Sequence, residues 1–333
     1  MPGRVTFYTV SDARFFVGTA CLVNSLRLTG NRDQIVVLDL GLTASQRERL
    51  SAEATVIERP AAAREFPLIF KPYPALLEPT GAVVVIDSDM IVTRSLDPIT
   101  DMAAAGKFVL FSDIEPQNER WFAEWEGLFG LPVAPRHQPY LNTGLVAFSV
   151  DHWPHMLARW WEACDRVPQE RTIARGARSS DPFCFSDQDA LNALLMSEVP
   201  RDAVVGLPEE EGPSAGLLSR VRVDANDALR CRLDGHEPYL LHYWGGPKPW
   251  ERSAWIRVER NAYVRLMPRV LYGSAAPIPV EPHELPRWLR PGLANAALLG
   301  VLSAGNRLLR LGLDRLSFDA RNRASKVKRR IIA

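Results

Sequence analysis

The chain has 333 residues, 47% of them hydrophobic and 24% charged, with a formal net charge of +1. This is enough apolar material to bury a large core as one enlarged α/β domain, or as one domain plus a tail. The charge is uneven. Gly305 to Ala333 carries nine Lys/Arg against Asp314 and Asp319, a net of +7, leaving the rest at about −6 by difference. An acidic body excludes nucleic acid as its partner. Cys21, Cys164, Cys184 and Cys231 are far apart with no Cys-x-x-Cys pair, which reads as free thiols in a reducing cytosol. The N-terminal residues lack a basic region followed by an apolar one. No run approaches the ~18 apolar residues of a bilayer span. The expected localisation is cytoplasmic.

Taken in chain order, Val5 to Val10 predicts a strand and Phe15 to Leu28 a helix closed by Gly30. Ile35 to Leu40 predicts a second strand. Thr43-Ala44-Ser45-Gln46 has capping-box spacing and opens a helix to about Ala52. Ala54 to Ile57 is a third strand. The Phe70-Lys71-Pro72-Tyr73-Pro74 segment leads through a short helix to the strand Val83 to Ile86. Pro98 to Ala105 reads as a helix and Phe108 to Phe111 as a strand. Alternating βα units of this kind predict a doubly wound sheet. Further on, Trp121 to Phe129 reads as helix, Leu145 to Val150 as strand and Pro154 to Arg166 as helix. Pro168 to Phe183 reads as a long loop of the kind that binds or covers ligands. Ser186 to Met196 is a helix, Tyr239 to Tyr243 a strand, and Pro277 to Pro282 a proline-rich linker.

The chemistry concentrates where apolar strands end. Ala82-Val83-Val84-Val85-Ile86 runs into Asp87-Ser88-Asp89, the pattern of a strand buried on both faces with two carboxylates at its carboxyl end. At ~3.3 Å per residue, Asp87 and Asp89 sit on one side, ~6.6 Å apart along the strand. A bend there lets both reach one hard cation. Two carboxylates leaving a dry strand need such a partner, which points to divalent-metal chemistry on a phosphorylated substrate. The plainer alternative is a solvated turn with an Asp cap.

A second constellation is Leu240-Leu241-His242-Tyr243-Trp244-Gly245-Gly246-Pro247-Lys248-Pro249-Trp250. Here a strand delivers His242, and a glycine turn, in which Gly245 and Gly246 permit positive φ and close backbone approach to a ligand, presents Lys248 as a point charge for a phosphate. An imidazole beside two carboxylates suits Mn²⁺ better than Ca²⁺. Two further stretches are Tyr140-Leu141-Asn142-Thr143-Gly144 and Ser186-Asp187-Gln188-Asp189-Ala190-Leu191-Asn192. Asn142 suits either a sugar hydroxyl or a turn, and Ser186 with Asp187 either a helix cap or a ligand. Trp121, Trp125 and the Pro168–Phe183 loop are candidates for acceptor contact, with core packing the alternative for the tryptophans.

The order of these motifs resembles the family 8 retaining glycosyltransferases, the group that includes glycogenin and bacterial lipopolysaccharide galactosyl- and glucosyltransferases. The resemblance runs from Val5 to about Trp250 and rests on Ser11-Asp12, Asp87-Ser88-Asp89, Asn142-Thr143-Gly144, Asp187-Gln188-Asp189 and His242 to Trp250. It implies a GT-A, Rossmann-like α/β fold with a mixed central sheet flanked by helices. Residues 1–275 would form the catalytic domain, and 276–333 a proline-rich linker with a basic amphipathic helical tail. The implied activity is metal-dependent transfer of a hexose, with retention, from a UDP-sugar to a saccharide or lipid-linked acceptor. Asp87, Asp89 and His242 would hold Mn²⁺ or Mg²⁺. Asp187 and Gln188 would act at the reacting sugar. Asp12, Lys71, Ser88, Asn142, Gly245 and Lys248 would bind substrate, Asp12 near the uracil and Lys248 on the diphosphate.

Two rivals stay open at this level. A haloacid-dehalogenase-like phosphatase also places Asp-x-Asp after an apolar strand, but it requires Thr where Ile91 stands. The other is an inactive nucleotide-sugar-binding protein. In the tail, Leu308, Leu309, Leu311, Leu313 and Leu316 alternate with Arg307, Arg310 and Arg315. With the basic residues Lys326, Lys328, Arg329 and Arg330, they suit a helix lying on an anionic membrane surface. A helix packed on the body is the alternative.

Overall fold

The computed structural model describes residues 5–59, 70–77, 79–113, 119–224, 229–256 and 258–314. Seven strands form one mixed sheet in the order β3-β2-β1-β4-β7-β6-β8. They are β1 (Val5–Ser11), β2 (Gln34–Asp39), β3 (Thr55–Glu58), β4 (Ala82–Ile86), β6 (Phe108–Ser112), β7 (Leu141–Ser149) and β8 (Val204–Leu207). All neighbours pair in parallel except β7, which runs antiparallel to both β4 and β6. Two small antiparallel pairs complete the strands: β5 (Met90–Val92) with β11 (Leu240–His242), and β9 (Arg222–Val223) with β10 (Cys231–Arg232).

The inner strands are dry on both faces, and their period-2 alternation divides the core in two. Phe7, Val84, Ile86, Leu145 and Ala147 face one layer with α1 (Phe16–Leu28), α4 (Asp97–Ala104) and α8 (Ala262–Tyr272). Tyr8, Val83, Val85, Val146 and Phe148 face the other with α3 (Tyr73–Leu77), α5 (Glu124–Phe129), α6 (Met156–Arg166) and α7 (Asp187–Glu198). The short α2 (Ala44–Ser51) carries the expected capping box: Thr43 Oγ1 accepts from Gln46 N at 3.3 Å, and Gln46 Oε1 accepts from Thr43 N at 3.0 Å.

Several expectations change. The strand expected from Leu145 begins at Leu141, because Leu141 and Asn142 pair with Ser112 and Phe111 across a register shift. Backbone pairing there outweighs the polar side chains that break the apolar run. Trp125 is wholly buried and donates its indole N–H to Pro182 O at 2.6 Å, so it is core and offers no acceptor surface. Trp121 is half-buried, stacked on His137. The Pro168–Phe183 segment contains two short 3₁₀ turns, Gln169–Arg171 and Ile173–Arg175.

The proline-rich stretch is packed into the body. Asn24 exchanges two hydrogen bonds with Ile278, and Ile278, Val280, Leu285 and Leu289 are buried in the core. The last helix, α9 (Leu293–Asp314), docks through Leu299, Ser303 and Asn306, whose amide donates to Trp255 O and Val258 O at 3.1 and 3.0 Å. Leu293, Val301 and Leu308 on α9 are 92%, 70% and 70% exposed. The side chains of Leu309, Leu311, Leu313 and Arg310, and all of Arg315, Leu316 and the Lys326–Arg330 cluster, lie outside the described residues.

Candidate functional site

The site forms where the end of β4 lies beside the start of β7. β4 stops at Ile86, and the chain turns through Asp87, Ser88 and Asp89 into β5, which pairs with β11 so that Met90 lies opposite His242. That pairing brings His242 beside the two aspartates. His242 Nε2 stands 3.3 Å from Asp89 Oδ1 and 3.7 Å from Asp87 Oδ2. One ligand atom from each of the three lies within 4.8 Å of the others. Two hard carboxylates and one imidazole are a donor set suited to Mn²⁺ or Mg²⁺, with the imidazole favouring Mn²⁺.

Close backbone approach makes this possible. A Cβ on Gly144 would stand 2.3 Å from Met90 Cε and 2.8 Å from His242 Cε1, and Gly144 O accepts from Asp87 N at 2.8 Å. Gly245 has φ +83°, as the turn after His242 requires. That turn carries Lys248, whose buried ammonium donates to Asp89 Oδ2 and, at 2.8 Å, to Tyr243 O. Burial pushes the Asp89 carboxyl up, but Lys248 and His242 outweigh it and hold Asp89 well below the usual carboxylate range. Asp87 is shifted the other way. Burial and the neighbouring Asp89 raise it against the pull of Lys71.

Lys71 links this cluster to α7. Its buried Nζ lies 2.9 Å from Asp87 Oδ1 and 2.8 Å from Asp187 Oδ2, and donates to Thr143 O at 3.3 Å. Burial alone would lower the ammonium; Asp187 and Asp87 outweigh it and raise it above its ordinary value. Asp187 Oδ2 also accepts from Thr143 Oγ1 at 3.1 Å. Gln188 spans two strand ends, accepting from Thr143 N at 3.1 Å and donating to Asp113 Oδ2 at 2.6 Å.

The remaining candidates take local roles. Asp12 Oδ1 accepts from the backbone of Arg14 and Phe15, both at 2.9 Å, closing the turn into α1. Asn142 Oδ1 accepts from Gly144 N at 2.9 Å. Ser88 is buried in the turn between β4 and β5. Ser186, expected as a cap for α7, makes no side-chain cap bond and sits at φ +40°, ψ −101°. Its carbonyl still accepts from Ala190 N at 3.0 Å, which opens the helix.

Two features escaped the sequence reading. Asp113 stands just past the apolar strand β6, the same signal that marked Asp87. Arg120 is buried against Asp189, and a lone arginine in a loop carries no signal of that kind. The phosphatase alternative fails at Ile91, which is buried in β5 opposite Leu241 and presents no hydroxyl.

No protein-family model and no curated protein matches the chain. Solved structures do. The galactosyltransferase LgtC in complex with donor and acceptor sugar analogues superposes with a TM-score of 0.52 at 18% identity, over 84% of this chain and 98% of that one. An active-site variant of LgtC gives 0.51 at 17%, over 78% and 94%. The bifunctional glycosyltransferase WbbM gives 0.50 at 17%, over 80% of this chain; the match spans 50% of WbbM. The chain therefore has the GT-A, Rossmann-like fold of these glycosyltransferase structures.

Proposed function

We propose that this protein is a metal-dependent hexosyltransferase that moves a sugar from a UDP-sugar to a saccharide or lipid-linked acceptor with retention of configuration. The observation that carries the reading is the convergence of Asp87, Asp89 and His242 at a strand-end turn, with Lys248 on one side and Asp187 with Gln188 on the other. A fold shared with LgtC, solved with donor and acceptor sugar analogues, supports it.

Asp87, Asp89 and His242 would hold Mn²⁺ or Mg²⁺, which when bound supplies positive charge against the growing negative charge of the leaving diphosphate. Lys248 adds a second positive charge there, as it is already placed beside Asp89. Lys71 holds Asp187 through an ion pair and so ties it to the cluster. Gln188, tied at both ends of its amide to Thr143 and Asp113, presents a fixed face to the sugar. Asp12, Ser88, Asn142 and Gly245 line the donor's approach along the strand ends. Fixed groups of this kind favour the transition state because they need no reorganisation as charge moves.

The acceptor reading extends to the membrane. The exposed apolar residues of α9 and the basic residues that follow it in the sequence suit docking on an anionic lipid surface. The last helix and the basic residues that follow it would then serve as a docking segment for the catalytic body.

A panel of UDP-, GDP- and dTDP-sugars, with and without Mn²⁺, tests the function through release of nucleotide diphosphate and transfer of sugar. Mn²⁺-dependent release from one UDP-sugar is expected. Tight Mn²⁺·UDP binding with no turnover of any donor would favour the binding-protein reading instead.

A further inference from the structure

The turn that delivers Asp187 and Gln188 is held in an unfavourable backbone conformation by a buried ion pair away from the metal cluster. Ser186 has φ +40°, a region non-glycine residues enter only when their surroundings enforce it. The residue before it, Phe185, is gripped from two directions. Its N–H donates to Asp189 Oδ2 at 2.7 Å, and its carbonyl accepts from Gln188 N at 2.9 Å. Asp189 is fully buried, and its other oxygen accepts from Arg120 Nε and Nη2 at 3.1 and 2.8 Å and from Tyr140 OH at 2.8 Å. Both carboxylate oxygens are therefore committed.

Arg120 does more than neutralise Asp189. It donates to Ser179 O, and at 3.0 Å to Asp181 O, so the same guanidinium also holds the loop leading into the turn. Tyr140 adjoins Leu141, the first residue of β7, two positions before the Thr143 that bonds both Asp187 and Gln188. The clamp thus ties together the three segments that aim these side chains: the 179–185 loop, the start of α7 and the start of β7.

We infer that the Arg120–Asp189 pair is a positioning device for the transfer step, holding Asp187 and Gln188 in register with the donor sugar while taking no part in metal or diphosphate binding. The inference rests on the proposed transferase activity. Asp189 makes its contacts to Arg120, Tyr140 and Phe185, whereas the metal-ligand set is Asp87, Asp89 and His242. Misplacing a reacting group by ~1 Å can cost about 100-fold in rate.

The test compares the wild type with Asp189→Asn, Arg120→Met and Arg120→Lys in the full chain. The readouts are kcat, donor KM, calorimetric affinity for Mn²⁺·UDP, and hydrogen exchange at residues 185–188. For Asp189→Asn and Arg120→Met, kcat should fall about 10- to 100-fold. Mn²⁺·UDP affinity should change less than about threefold, and exchange at 185–188 should rise. Arg120→Lys should recover part of kcat, since it keeps the charge but loses the fork. Wild-type kcat in both disruptive variants overturns the inference. So does a loss of Mn²⁺·UDP affinity in parallel with kcat, which marks general unfolding. A wild type that transfers no sugar sinks the transferase reading itself. In that case increased exchange confined to 185–188 in the variants, with Mn²⁺·UDP affinity kept, would still establish the clamp.

Discussion

Lys71 Nζ lies 2.8 Å from Asp187 Oδ2, and the same ammonium stands 2.9 Å from Asp87 Oδ1. One buried cation therefore joins the turn after β4 to the start of α7. Removing it leaves the buried Asp187 without its cation and takes the same cation from Asp87, whose side chain is 26% exposed. Breaking a buried pair costs about 3–5 kcal/mol, so Lys71→Met should destabilise the protein by about that much in a urea titration at neutral pH. Lys71→Arg should cost less because it keeps the charge. Near-wild-type stability for the Met variant would show that water reaches these carboxylates.

The metal reading predicts that Asp89→Asn abolishes Mn²⁺-dependent binding of UDP, because the amide keeps the size but loses the charge. Turnover should fall at least about 100-fold while the circular dichroism spectrum is retained. Full activity after EDTA treatment and exhaustive dialysis would remove the metal from the mechanism.

Lys248 gives a pH-dependent prediction for the metal-free protein. Asp89 is held below the ordinary carboxylate range, so the stability it contributes is present above its unfolded pKa of about 3.9 and is lost as pH falls toward the depressed folded value. Lys248→Met removes the main opposing charge. The variant should be less stable at pH 7, and its deficit should shrink as pH falls below about 4. A deficit constant from pH 3 to 7 contradicts the assigned pairing. With the metal present, Lys248→Ala should lower kcat as well as raise donor KM, the signature of a group that meets charge developing in the transition state.

All four cysteines are free and buried. Burial raises the thiols of Cys21, Cys164 and Cys184 above their ordinary value, which suppresses the reactive thiolate. A disulfide exchange reagent at pH 8 should label none of the four quickly in the folded protein and all four in denaturant. Rapid native labelling of one thiol would reveal local opening around it.

The α9 docking proposal predicts binding to vesicles rich in anionic lipid and little binding to neutral ones, weakened at high salt. Val301 and Leu308 are exposed, so Val301→Glu combined with Leu308→Glu should leave thermal stability unchanged and reduce vesicle binding at least about tenfold. Truncation is a poorer test, because Leu299 and Asn306 pack on the body. Equal, negligible binding of the full chain to both vesicle types would leave α9 as a packed helix only.

The sequence alone determined the local features. Runs such as Ala82–Ile86 announce a strand dry on both faces, and Thr43 with Gln46 announces a helix start, because burial and capping are set by residues close in the chain. It also marked Asp87, Asp89 and His242 as chemically loaded, since apolar strands ending in polar groups are a one-dimensional pattern. Only the tertiary structure decided what those groups meet. The β5–β11 pairing brings His242 to the aspartates, and Lys71 bridges Asp87 and Asp187 across three separate segments. Arg120 finds Asp189 in the same way. A buried charge must have a partner, but the physics that requires one does not say where in the chain it lies. Strand order and helix packing settle that.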